Sequence, residues 1–149
     1  MWNDSRSLTL SKICVAIFMA LLLACAVLAP RFVNLFISVS APAYAVGKAL
    51  FLATIYAGSV PAAILLICLY ALLQRIGEGN VFVNKNTACL RYISWCCFAG
   101  AAICLASSLY YVLWLAIGAA AAFMGLIVRV IKNMVAKAVS LQDDADFTI

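Results

Sequence analysis

Cysteine is the residue type best able to do chemistry in this chain. There are seven, Cys14, Cys25, Cys68, Cys89, Cys96, Cys97 and Cys104, and no histidine. No two are spaced as C-x-x-C, so the usual zinc and haem patterns are absent. All but Cys89 fall inside long apolar runs, where a thiol is a small, weakly polar packing group; the adjacent pair Cys96-Cys97 is the one with latent redox interest. The carboxylates are Asp4, Glu78, Asp143, Asp144 and Asp146, three of them in a terminal tail. Acid–base catalysis needs paired groups with a base of suitable pKa. That set does not supply one, so no enzyme, metal or cofactor is expected.

The elements that hold these residues follow from composition. Hydrophobic residues make up 68% of the 149 and charged residues 10%, against about 25% charged in a soluble domain. Such a chain cannot cover a water-facing surface with polar groups, and lipid is the solvent that suits it. One integral membrane domain is expected over 1–149. The uncharged runs Ile13–Ala29, Ala49–Leu73 and Tyr92–Val128 mark its spans. The last has 37 residues and as one helix would be about 55 Å long, nearly twice the roughly 30 Å hydrocarbon layer. It therefore reads as two spans turning at Ser107-Ser108. The fold class is all-α and polytopic: four transmembrane helices at about 12–29, 49–73, 91–108 and 112–131, the last two a tight hairpin.

Basic residues set the expected orientation. Arg6, Lys12, Arg75, Lys85, Arg91, Arg129, Lys132 and Lys137 fall on one side of a four-span path, Arg31 and Lys48 on the other. Both termini and the connection before the third span should face the cytoplasm. Tyr92 and Trp95 would lie at the inner interface, Tyr110, Tyr111 and Trp114 at the outer one. Division of the basic residues among three segments explains the net charge of +5 without direct nucleic-acid binding. Leu22-Leu23-Ala24-Cys25 loosely resembles a lipoprotein cleavage box, but the run stays apolar to Ala29, and an uncleaved first helix is expected. Pro30–Lys48 reads as an outer interfacial segment or as a continuation of the first helix.

Within the spans, Gly100 with Cys97, Cys104 and Ser107, and Gly118 with Ala122 and Gly125, form small-residue stripes that suit helix contact in a hairpin or between copies of the chain. Gly58 and Pro61 suggest a bend in the second span, with Ser59 bonding a freed carbonyl. No charged side chain falls in the interior of a span, where coupled transporters keep them.

The stretch "GEGNVFVNKNTACLRYISWCC" gathers the polar residues of the middle of the chain. Gly77 and Gly79 suit the release of the second helix, and Asn84 suits the cap of the third. Glu78, Asn80, Phe82, Asn86 and Arg91 are candidate interaction residues there. From Val128 the fourth helix should continue past the bilayer as a basic amphipathic helix, reaching an acidic tail within 129–149. Asp143, Asp144, Asp146 and Phe147 are the candidate contacts of that tail.

The order of these motifs resembles the YoaS-like family of small bacterial four-helix membrane proteins of unknown function. The matching positions are Gly58 and Pro61, Gly79-Asn80 and Phe82, Asn86, Leu90-Arg91, Ser94-Trp95-Cys96-Cys97 and the ending "SLQDDADFTI"; Val81 departs from the family's usual proline. The likeness runs from about Gly58 to Ile149. It implies a membrane partner that holds or tunes a small helix-turn-helix regulator, because members are often encoded beside one; no catalytic or ligand residue comes with it. The function expected is an integral membrane accessory or regulatory protein with a cytoplasmic interaction surface, able to form homo-oligomers. The alternative is a small channel or transporter subunit.

Overall fold

A computed structural model describes residues 4–39 and 47–148. Residues 40–46 of the expected outer segment, and Ile149 of the tail, lie outside them. The described residues form four helices and no strand: α1 (Asp4–Val39), α2 (Lys48–Gly77), α3 (Asn84–Ser107) and α4 (Leu113–Phe147). Each is long and apolar enough to cross a membrane. Helices satisfy all their backbone groups internally, which is what lipid demands of a spanning segment. This is a multi-pass membrane protein.

Neighbours in sequence are neighbours in space: α1 packs on α2, α2 on α3 and, most extensively, α3 on α4. The α3–α4 turn is the tight hairpin expected at Ser107-Ser108. It closes through hydrogen bonds from the Tyr110 and Tyr111 amides to the Ser107 carbonyl, both 3.2 Å. Close approach within the hairpin depends on two glycines. A Cβ on Gly118 would lie 3.2 Å from Cys104 Cβ, and one on Gly125 would lie 3.1 Å from Cys97 Cβ and Phe98 Cε1. The Ser94 hydroxyl donates to the Gly125 carbonyl at 3.1 Å, a bond that the bare glycine allows.

The opposing stripe differs from the expected one. Cys97 and Cys104 of that stripe do face α4, joined by Phe98 and Ala101, but Gly100 has open space where its side chain would be. Gly58 likewise faces open space, so among the described residues neither glycine is a close helix contact. Pro30 does not end α1, which runs on to Val39. At residue 30 a proline forfeits one hydrogen bond to the preceding turn, and the continuing apolar surface outweighs that loss. Pro61 also sits inside a continuous helix. Ser59 donates to the Tyr56 carbonyl at 2.7 Å, not to that of Ala57, the carbonyl a proline at 61 sets free.

Two buried centres hold the bundle. At the end that carries the α2–α3 connection, Leu72, Leu90 and Ile93 join α2 to α3, with Val128 and Val135 of α4 packed against them. At the other end Val33 and Phe51 form the second centre. Phe51 makes edge-to-face contacts with Phe36, Tyr110 and Tyr111 at centroid distances of 5.9, 5.5 and 5.5 Å. Tyr110 and Tyr111, expected at the outer interface, pack their rings on Phe51 at this end of the bundle, where edge-to-face pairs add to simple burial. Beside them Thr54 ties α2 to the hairpin turn. Its hydroxyl meets Ser107 Oγ at 2.7 Å and the Tyr110 hydroxyl, which also donates to the Leu50 carbonyl at 3.2 Å.

Candidate functional site

The polar residues at the end of the bundle away from the hairpin turn divide into three groups, and the helices decide the division. The first is the α2–α3 connection. The last turn of α2 closes on Gly79, whose φ of +84° is costly for residues with a Cβ and free for glycine. Gly79 N–H donates to the Ile76 carbonyl (3.1 Å) and Asn80 N–H to that of Arg75 (3.0 Å), the paired bonds of a helix that stops on a left-handed residue. Gly77 stays helical, with the Lys12 side chain 3.3 Å from where its Cβ would be.

Asn86 then fixes the path of the connection. It is 1% exposed, and its Nδ2 donates to the carbonyls of Asn80 at 2.7 Å and Val81 at 2.8 Å. Asn86 is therefore an internal clasp and not a surface contact. The rigidity that a proline at 81 would have given comes here from a side chain. Asn84 is the first residue of α3 and caps nothing; Val83 holds the cap position, with no side-chain hydrogen bond. Asn86 replaces it because an amide reaching back across the connection satisfies two carbonyls at once. Arg75 adds a second tie, from Nη1 to Cys89 Sγ at 3.0 Å.

Of the expected contacts in this stretch, Glu78 and Asn80 are exposed and line one recess of about 400 Å3 with Arg75, Val83, Asn84 and Lys85. Phe82 is exposed beside it. Arg91 belongs to a second group, a notch between α3 and α4 lined also by Ser94, Trp95, Arg129 and Lys132.

The third group is the end of α4. At 35 residues this helix is about 52 Å long, well beyond the roughly 30 Å it needs to cross. It continues unbroken through the acidic residues, so the segment is a helix. Asp143, Asp144 and Asp146 are exposed, and Phe147 is 91% exposed. The Ser94–Gly125 bond sets the first residue of α3 roughly level with Val135, which leaves Asp143 about 12 Å further along the axis. Helix packing does not bring the acidic end to the α2–α3 connection.

Sequence reading missed Thr54, Phe51 and Phe36. Thr54 had a signal: it is a hydroxyl in the first half of an apolar helix, and a polar group in lipid needs a partner. All seven cysteines are free, and among the described residues no three of His, Cys, Asp or Glu converge on one point.

No curated protein and no solved structure matches the chain. A family model does, over residues 33–149, beginning in α1 and therefore ahead of Gly58. Those residues cover α2, α3, α4 and the last part of α1, and the chain belongs to the family described as Protein of unknown function (DUF2975).

Proposed function

We propose that this is a membrane-anchored accessory protein of the bacterial cytoplasmic membrane that holds a soluble regulator at the inner surface through the projecting end of α4. The observation that carries the reading is the continuous α4 helix, which ends in exposed Asp143, Asp144, Asp146 and Phe147 beyond the reach of the bilayer. Anionic headgroups repel those carboxylates and hold them off the surface. A basic protein is the partner such an end attracts, and the YoaS-like resemblance makes a small helix-turn-helix regulator the first choice. In this reading the partner meets DNA and the membrane protein does not.

Both termini face the cytoplasm by the distribution of Lys and Arg. The reading is non-enzymatic: Glu78, Asp143, Asp144 and Asp146 are exposed on two separate elements. The channel alternative has less support, because the buried hydroxyls of Thr54, Ser107 and Ser94 are engaged with one another and with backbone carbonyls.

The test is affinity capture in mild detergent with the full chain and with one lacking residues 143–149. A helix-turn-helix protein recovered by the full chain and lost with the truncation is the expected result. Equal recovery by both, or proton or ion flux in liposomes with no such partner, overturns the reading.

A further inference from the structure

At the end of the hairpin opposite its turn, a notch of about 50 Å3 is lined by Arg91, Ser94 and Trp95 of α3 and by Arg129 and Lys132 of α4. The hairpin register brings the three cations together. Ser94 bonds to Gly125 and Gly118 packs on Cys104, and the same antiparallel pairing sets Arg91 level with Arg129. Arg129 and Lys132 are three apart and share a helix face. Ser94 forms the floor, since its hydroxyl is already committed to α4. Among the described residues no carboxylate lines the notch, and the next acid along α4 after Lys132 is Asp143, about 16 Å further on.

Depth decides what meets this charge. Arg91 and Arg129 are the residues that bracket the uncharged run Tyr92–Val128. Folding that run into a hairpin places both at the boundary between hydrocarbon and headgroups. Trp95, 64% exposed, stands beside them on the lipid side, the usual depth for an indole.

We propose that this notch binds the phosphate of an anionic phospholipid headgroup. Arg91 and Arg129 offer planar donor forks that match phosphate oxygens, and Lys132 adds a third cation. A zwitterionic headgroup carries its own ammonium group, which three uncompensated cations repel, so the site selects anionic over zwitterionic lipid. It stands apart from the partner reading, because none of its residues lies in the acidic end.

The test uses the full chain in mild detergent, with native mass spectrometry and thermal melting after addition of phosphatidylglycerol or phosphatidylcholine. Phosphatidylglycerol should be retained and should raise the melting temperature, and phosphatidylcholine should do neither. The double variant Arg91→Gln/Arg129→Gln should lower retention by roughly twenty-five-fold, at about fivefold for each cation near an anionic lipid. Arg6→Gln/Lys137→Gln makes the same charge change elsewhere and should leave retention unchanged. All four are exposed, and lipid-free melting near the parent's confirms that each variant is folded. Equal loss in the two double variants overturns the proposal, as does equal retention of the two lipids. Displacement of phosphatidylglycerol by millimolar inorganic phosphate also overturns the lipid assignment, transferring the notch to a free anion.

Discussion

Asn86 closes the α2–α3 connection through two hydrogen bonds from one buried amide. Asn86→Ala should destabilise the protein by about 1–3 kcal/mol, the range for leaving buried polar groups without partners. Asn84→Ala, at an exposed position with no cap bond, should change little. Thermal melting in detergent separates the two; equal melting temperatures would remove the clasp from the account. The glycines divide in the same way. Gly125→Ile forces a branched side chain against Cys97 and Phe98 and should cost about 1–3 kcal/mol by overpacking. Gly58→Ala and Gly100→Ala meet open space and should be neutral or stabilising by up to about 1 kcal/mol, since alanine is the better helix former. A Gly100 variant as damaged as a Gly125 variant would point to a contact between copies of the chain.

Among the elements, α2 is joined to the α3–α4 turn by Thr54, Ser107 and Tyr110. Hydrogen bonds between helices in a membrane are worth about 0.6 kcal/mol on average and up to about 1.7. Thr54→Val keeps the shape, removes the shared hydroxyl and should cost about 0.5–2 kcal/mol. Ser108→Ala is the comparison, because that hydroxyl only returns to the Leu105 carbonyl of its own helix. If unfolding measurements rank Ser108→Ala as the worse of the two, the network does not hold α2 in place. The ends of α1 and α4 follow another rule. Both helices outlast the bilayer, and their extensions persist because nothing in Pro30–Val39 or Arg129–Phe147 favours another conformation strongly enough to stop them.

For the whole molecule, the asymmetric charge predicts its sidedness. Single cysteines at Asn84 and Gln142, in a chain freed of its native cysteines, should resist an impermeant thiol reagent applied from outside intact cells. One at Leu109, which is exposed at the hairpin turn, should react. A reactive Asn84 with a protected Leu109 would invert the orientation. The cytoplasmic-partner reading would fail with it, whereas the lipid notch would persist facing the other leaflet.

Class, helix number and the turn at Ser107-Ser108 were determined by the sequence alone, because a 37-residue uncharged run and a bilayer of fixed thickness leave few solutions. Gly118 and Gly125 were legible as packing residues for a related reason: lipid removes the hydrophobic drive between helices and leaves close contact to small side chains. Of the residues that meet them, Cys97 and Cys104 were legible and Phe98 and Ala101 were not. Periodicity gives a face of α3 to within about one residue, and a rotation of 100° exchanges Gly100 for Ala101. Asn84 and Asn86 posed the same problem at shorter range, since the choice between cap and clasp depends on where the connection runs. The packing of Tyr110 and Tyr111 on Phe51 and the meeting of Arg91 with Arg129 and Lys132 belong to the tertiary structure alone. Each joins residues of different helices, and only the register between those helices determines which side chains meet.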